Sequence, residues 1–308
     1  MEYYKRHRPT TLKEVIGQPK VVKQLESFLK AGTLPHCLLF AGHSGVGKTS
    51  LARILRDRLN CSEHDFFEMN TADFRGIDMV RDIRSTINLA PMFGKCRIWL
   101  LDEMHGISKD GQDALLKLLE DTPNHAYFFL ATTNPEKVKS TILTRCYRFD
   151  LQPIDKEDMT TLLQSVMTKE EIELSESVLA KLIEVAKGSA RRALVLLEQV
   201  AKLEDEEEQL ESILKGNPEQ TAFDLVKALL YKQGKWGEVK TVLDRLSKDE
   251  EPESLRRYIL SVASTELLKG KGTAGRANLI INAFEGNWFD GGRASLISRC
   301  WECCMSKD

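Results

Sequence analysis

The chain has 308 residues, 42% of them apolar and 29% charged, with a formal net charge of -2. That length fits two or three domains and that composition is globular, which excludes a disordered or fibrous chain. The near-neutral charge excludes the strongly basic signature of a dedicated nucleic-acid binder, and no apolar run approaches the ~18 residues that span a bilayer, so no membrane is expected as a partner.

The first thirty residues lack the apolar centre and small-residue cleavage site of a signal peptide, which leads to an expected cytoplasmic, intracellular location. From about residue 37 to 150, short apolar runs alternate with amphipathic segments, the pattern of strands and helices in a wound parallel sheet. CLLFAG, CRIWLLDE and AYFFLATTN read as buried strands that end in polar or small residues. In such sheets ligand chemistry sits at the carboxyl ends of the strands. After Phe149 the strand pattern stops. Asp155 can cap a helix to about Thr168, and Ser175 can cap a second with Val178, Leu179, Leu182, Ile183 and Ala186 at helical spacing. Gly188 is placed to end that helix, and Ala190 to Lys202 reads as a third.

The acidic run Glu204 to Glu208 is most simply a solvated helix face, and with the turn Gly216-Asn217-Pro218 it marks a boundary. Residues 209 to 308 are helical by pattern, with breaks expected at Gly234, Glu251-Pro252, Gly270 to Gly275 and Gly286. They carry no catalytic motif, so packing or oligomerisation is their expected task. The seven cysteines (Cys37, Cys61, Cys96, Cys146, Cys300, Cys303, Cys304) are scattered, and only Cys300 and Cys303 form a Cys-x-x-Cys pair. A four-ligand zinc site lacks ligands, and reduced thiols packed on helices are expected.

Gly42-His43-Ser44-Gly45-Val46-Gly47-Lys48-Thr49 matches G-x-x-x-x-G-K-[ST] between a strand and the helix that begins at Ser50. Its glycines let backbone N–H groups approach phosphates, and the helix N-terminus adds partial positive charge. Lys48 is expected on the β- and γ-phosphates of ATP and the Thr49 hydroxyl on Mg²⁺. The second strand ends in Asp102-Glu103, four apolar residues followed by two acids, the Walker B pattern. Asp102 is expected to hold Mg²⁺ and Glu103 to polarise the attacking water, because adjacent acids can serve one site only at a strand's end. The third strand ends at Thr132-Thr133-Asn134-Pro135, where the Asn134 amide can orient water beside the γ-phosphate; on its own Asn134 is a turn residue before proline.

With those motifs in place, the segments RHRPTTLKEVIGQ, LPHCLLFAGHSGVGKTSLA, RGIDMVRDI, IWLLDEMHGISKDGQDALLKLLED, ATTNPEKV, TILTRCYRF and GSARRAL resemble the boxes of clamp-loader ATPase subunits of the AAA+ superfamily. The likeness extends to the bacterial tau/gamma subunit, the small subunits of replication factor C and the phage clamp-loader large subunit, over about residues 4 to 195. It implies a three-part chain: an α/β AAA+ P-loop NTPase domain with a parallel sheet at 1–150, a helical lid at 151–203 and an all-α collar at 204–308.

The resemblance also implies roles. Arg145, in Thr144-Arg145-Cys146, resembles the arginine finger that enters a neighbouring subunit's ATP site; by sequence alone it is a surface cation. Arg191 resembles the sensor-2 arginine, which contacts phosphate from the lid; alone it is a helix N-terminal arginine paired to an acid. The stretch Tyr4, Lys5, Arg6, His7, Arg8 and Pro9, with Val15, Ile16 and Gly17, resembles the part that encloses adenine and ribose. Arg75, Gly76, Ile77 and Arg81 resemble a DNA-tracking helix start whose contacts to phosphates position the strand without reading bases, unless Arg75 and Arg81 are solvated helix charges.

The implied function is an ATP-dependent clamp loader. It would open a sliding clamp, load it on primer-template DNA and release both on hydrolysis, with other clamp-loader subunits in a pentameric ring inside a cell, at the nucleoid or in a phage-infected cell. Another DNA-remodelling AAA+ motor, such as a branch-migration helicase, and a non-hydrolysing nucleotide-binding scaffold are the alternatives. Three departures stand out. The cysteine-rich zinc insert of bacterial tau/gamma is reduced to Cys61, which points to a phage, archaeal or replication-factor-C-like branch; Thr144 replaces Ser; and His7 stands where the family has Tyr.

Overall fold

A computed structural model describes residues 2–71, 77–215, 218–231, 235–244, 252–270, 272–286 and 292–306. The chain divides into two compact units, Met1–Ala201 and Lys202–Asp308. Unit 1 runs α1 (Tyr3–Arg6), α2 (Pro19–Ala31), β1 (Cys37–Ala41), α3 (Lys48–Arg58), β2 (Phe66–Asn70), α4 (Ile77–Thr86), β3 (Arg97–Asp102), α5 (Lys109–Glu120), β4 (Ala126–Thr132), α6 (Ser140–Leu143), β5 (Tyr147–Asp150), α7 (Lys156–Glu170), α8 (Glu176–Ala186) and α9 (Ala190–Val200).

Among the described residues the sheet is parallel, in the order β2-β3-β4-β1-β5. Its middle strands β3, β4 and β1 are those expected from their apolar runs. The edge strands β2 and β5 were not expected. In Phe66–Asn70 no residue is fully buried, and in Tyr147–Asp150 only Phe149 is, so neither makes the continuous apolar run by which a two-sided strand is recognised.

Alternation along the middle strands feeds two apolar layers. Leu38, Phe40, Ile98, Leu100 and Phe129 pack with Leu25, Leu51, Ile54 and Leu55 of α2 and α3. Leu39, Trp99, Leu101, Phe128 and Leu130 pack with Val80, Ile83, Leu115 and Leu119 of α4 and α5. On that second face Phe67, Trp99 and Phe128 stack across three neighbouring strands, with ring centroids 5.6 and 5.5 Å apart. A sheet covered on both sides leaves its polar chemistry to the strand ends.

Of the three helices after β5, the first two begin at the expected caps Asp155 and Ser175, and the third is capped by Ser189, which the sequence reading did not name. The Asp155 carboxylate accepts from the Asp158 N–H at 2.8 Å, and the Ser175 and Ser189 hydroxyls accept from Val178 and Arg192. These helices belong to the same compact unit as the sheet.

Unit 2 is helical throughout its described residues: α10 (Glu206–Lys215), α11 (Pro218–Tyr231), α12 (Trp236–Asp244), α13 (Pro252–Leu268), α14 (Ala274–Ala283) and α15 (Gly292–Met305). Leu229, Ile259, Ile280, Phe284 and Leu296 centre its core. The buried Arg276 guanidinium donates to the carbonyls of Leu229, Cys303 and Ser306 at 3.0, 2.6 and 3.0 Å. These carbonyls lie at the ends of α11 and α15, where the helix dipoles are negative and a cation is favoured. Of the expected breaks, Gly216, Asn217, Gly234 and Glu251 lie outside the described residues, and Gly275 falls inside α14 rather than in a turn.

The cysteines are free. Cys300, Cys303 and Cys304 lie on α15, but Cys37 is in β1 and Cys61, Cys96 and Cys146 are in connecting segments, so the expectation of thiols on helices fails for four of the seven. No helix of the described residues is long and apolar enough to cross a membrane.

One buried carboxylate organises the segment before β3. Asp65, 0% exposed, accepts from the Ser62 hydroxyl at 2.6 Å and from the N–H groups of Met92, Phe93 and Gly94 at 2.8 to 3.3 Å. It also faces Arg97 Nε at 3.3 Å. Burial works against its charge, but these donors outweigh it and hold its pKa at about 2. The folded value lies below the unfolded one. The stability it confers is therefore complete above about pH 4 and lost as pH falls toward 2. Asp65→Asn should cost about 3 kcal/mol at pH 7 in urea unfolding, and that difference from the parent should shrink as the pH is lowered through 3.

Candidate nucleotide site

β1 runs straight into the loop 42–47, and α3 begins at Lys48 with Gly47 as its N-cap. Gly45 is where the loop meets the third post-sheet helix. Its φ is +76°, and a Cβ there would lie 2.2 Å from Ser189 Oγ and 3.0 Å from Arg191 Cβ. Only glycine allows that approach. Lys48 is buried and folds back on its own loop, with Nζ donating to the carbonyls of Gly42 and His43 at 2.8 and 2.9 Å. Burial pulls its pKa down, against the carboxylates of Glu103 and Asp102, which hold it up.

The loop is tied to β3 across the end of β4: Thr49 Oγ1 donates to Asp102 Oδ2 at 2.9 Å. A hydroxyl and one carboxylate form the small oxygen set that suits Mg²⁺, a cation that keeps most of its waters and takes phosphate oxygens for the rest. Glu103 follows in the left-handed region, φ 52° and ψ 42°, a strained conformation for a residue with a side chain. The strain is held by Gly106 N–H and the Thr71 hydroxyl, both donating to the Glu103 carbonyl, at 2.7 and 2.5 Å.

The Glu103 carboxylate is oriented by neighbours the sequence reading did not name. Thr133 Oγ1 donates to Glu103 Oε2 at 3.0 Å. His105 Nδ1 lies 3.3 Å from the same oxygen and 3.1 Å from Thr132 Oγ1. Asn134, expected to orient water beside the γ-phosphate, is the N-cap of the short Pro135–Lys137 turn, with its N–H donating to Thr132 Oγ1 at 3.1 Å. It does not line the cavity. The pair Thr132-Thr133 was visible in sequence, but which of three consecutive polar residues faces Glu103 depends on where β4 ends.

These groups open into a cavity of 540 Å³, of the size that takes a small ligand or cofactor. Its lining includes Tyr4, Arg6, His7, Arg8, Pro9, Val15, Ile16, the run Ser44 to Ser50, Asp102, Glu103 and Arg191. Two further expected members are outside it. Lys5 is exposed and paired to Glu2 at 2.5 Å. Gly17 serves close packing, since a Cβ there would lie 2.9 Å from Ile154 Cγ1. The apolar roof of Ile154, Leu162, Val166 and Leu194 was not anticipated, because its helix pattern reads as core. Arg191 stands with its guanidinium 5.8 Å from the Tyr4 ring.

Arg145 is not brought to this cavity. It lies between α6 and β5, donating to the Thr141 carbonyl at 2.8 Å and paired to Glu120. Of the expected DNA contacts, Arg75 and Gly76 lie outside the described residues. Ile77 opens α4, and Arg81 is exposed and paired to Asp78 at 2.8 Å.

A family model for the DNA polymerase III delta subunit matches residues 17–75 and 64–155. DNA polymerase III subunit tau of Escherichia coli (strain K12) is 33% identical over 251 residues, covering 74% of this chain and 39% of that protein. DNA polymerase III subunit gamma of Buchnera aphidicola subsp. Schizaphis graminum is 32% identical over 265 residues, covering 78% of this chain and 72% of that protein. The chain thus spans about two fifths of the tau relative and most of the gamma relative. Those relatives are bacterial, so the lone Cys61 does not set the chain apart from the tau/gamma branch as expected. Among solved structures, the Thermotoga maritima RuvB Holliday junction branch migration motor matches with a TM-score of 0.59 at 20% identity, over 83% of this chain and 91% of that one. That likeness is one of fold.

Gly45→Ala should destabilise unit 1 by about 3 kcal/mol, read as a drop in Tm, because both the left-handed backbone and the Ser189 contact penalise a methyl. Ser189→Gly in that background should recover part of the loss, since it removes the nearer clash and leaves the backbone penalty.

Proposed function

The chain belongs to the clamp-loader AAA+ family of DNA polymerase III tau and gamma subunits, and from that membership and the cavity's chemistry we propose that it binds and hydrolyses ATP to load a sliding clamp on primer-template DNA. The observation that carries the reading is the meeting of a phosphate loop, a Thr49–Asp102 pair and the oriented Glu103 at the mouth of one cavity. Three separate stretches of sequence supply them, and triphosphate hydrolysis is the chemistry that needs all three.

In this reading Lys48 exchanges the carbonyls of Gly42 and His43 for the β- and γ-phosphates, at little cost because its ammonium is already desolvated. Thr49 and Asp102 hold Mg²⁺, which neutralises charge on the phosphate oxygens when bound. Glu103 orients the attacking water, Thr133 and His105 fix its carboxylate, and Asn134, just past the end of β4, would orient water beside the γ-phosphate. Arg191 reaches phosphate from the lid. Val15, Ile16 and the apolar roof face the base, with the Tyr4–Pro9 stretch closing one side.

Arg145, standing outside its own cavity, is proposed to complete a neighbouring subunit's site in a ring of five, which we place inside the cell at the replicating nucleoid or phage genome. The start of α4, with Arg75, Gly76, Ile77 and Arg81, would meet template phosphates; several subunits each supplying few cations suffice to hold a strand. The domains proposed are the nucleotide-binding domain 1–150, the lid 151–203 and the collar 204–308.

The test is ATP turnover by the assembled subunits with clamp and primed DNA. Glu103→Gln should lower turnover at least ~100-fold while ATP stays bound. Lys48→Ala should lose ATP retention, and Arg145→Ala should lose stimulation by ~10³-fold or more. No turnover in the parent assembly under any stimulation would sink the hydrolytic reading in favour of a scaffold, and full turnover in Glu103→Gln would remove Glu103 from the chemistry; DNA-dependent turnover indifferent to the clamp would favour a strand-moving motor.

A further inference from the structure

The strap that walls one side of the cavity is not seated on a core. α1 buries none of its residues, and the N-terminal segment first enters the core at Leu12, 6% exposed. Besides local bonds such as that of Lys5 to Glu2, polar contacts tie residues 3, 6 and 7 to the helices after the sheet. Tyr3 N–H donates to Glu198 Oε2 of α9 at 3.0 Å. Arg6 Nη1 donates to both oxygens of Glu170, at 2.8 and 2.6 Å, and His7 Nε2 lies 2.7 Å from Glu170 Oε1.

Glu170 is the last residue of α7, where the helix dipole disfavours a carboxylate, so cations must compensate it. Arg6, with His7 adding to it, holds its pKa below the usual carboxylate range. Its side chain is 14% exposed and that of Arg6 45%, so water screens the pair in part from the Arg6 side. By contrast the hydrogen bond that joins α9 to the phosphate loop, Arg191 N–H to the Gly45 carbonyl, is 3.4 Å long. The strap is therefore bound to the lid by charge-assisted bonds, and the lid to the loop by packing and one weak bond.

We propose that Glu170 is a positioning residue for the nucleotide, a latch that makes strap and lid a single wall which closes over the base and ribose together. The proposal rests on the nucleotide reading of the cavity. A wall so joined would slow escape of a bound nucleotide without touching its phosphates, since Glu170 itself does not line the cavity while Lys169 and Ser165 of the same helix do.

Two readouts on the full chain test it. Without nucleotide, trypsin should cut after Lys5 about tenfold faster in Glu170→Ala than in the parent, and about threefold faster in Glu170→Gln, which keeps one acceptor. With Mg²⁺ and a fluorescent ATP analogue, dissociation from Glu170→Ala should be about tenfold faster, with KM for ATP bearing the loss rather than kcat. The charge exchange Arg6→Glu with Glu170→Arg should bring dissociation back toward the parent value, which a merely structural role would not do. Equal cleavage and equal dissociation in parent and Glu170→Ala would overturn the latch alone. Faster cleavage combined with a parent that never retains ATP would overturn the nucleotide reading and the latch's role with it.

Discussion

A sheet buried on both faces can carry charge only at the ends of its strands, and the site is organised by that constraint. β1, β3 and β4 are apolar between their end residues because helices cover both sides. Polar groups from sequence-distant segments are therefore driven to one rim. The Thr49 to Asp102 hydrogen bond is the clearest consequence: it spans from the end of β1's loop to the end of β3, over β4 between them. Parallel pairing sets the height of each strand end, and that shared height is what lets Lys48, Asp102, Glu103 and Thr133 meet.

At that rim, strain and hydrogen bonding are spent on one carboxylate. Glu103 takes a left-handed backbone, which a general residue avoids, and its carbonyl and side chain are both held by neighbours. An orienting carboxylate loses less entropy at the moment of reaction if it is already fixed. At the opposite end of β3, Asp65 shows the other use of a buried acid, since its donors are mainly backbone N–H groups and its task is to shape the segment that enters β3.

The second wall of the cavity is built by different physics. Gly45 packs against Ser189 and Arg191 with no room for a methyl group, so the lid's approach to the phosphate loop is a matter of shape. The strap's approach to the lid is a matter of charge, through Arg6, His7 and Glu170. Shape-matched contacts are lost abruptly on small displacements, whereas ion pairs persist over longer distances. A wall that opened as proposed would keep its charged seam and yield at its packed one.

The residues legible in sequence were those whose chemistry follows from local pattern. The phosphate loop lay between an apolar run and a helix, the acid pair closed a second run, and Asp155 and Ser175 stood where helix caps belong; each depends on neighbours within a few positions, so order along the chain is enough. What only the tertiary structure decided depends on contacts between distant segments. The half-exposed edge strands β2 and β5 gain their hydrogen bonds from partners and not from their own composition. Thr133, the first residue past the end of β4, bonds the Glu103 carboxylate, a contact between distant segments that the polar run Thr132-Thr133-Asn134 does not record. Gly17 spaces the chain from Ile154, and the lid's apolar residues roof a cavity although their periodicity is that of an ordinary core. Helical and strand periods record which side of an element is buried, but they do not record what it is buried against, and the cavity exists only in that second fact.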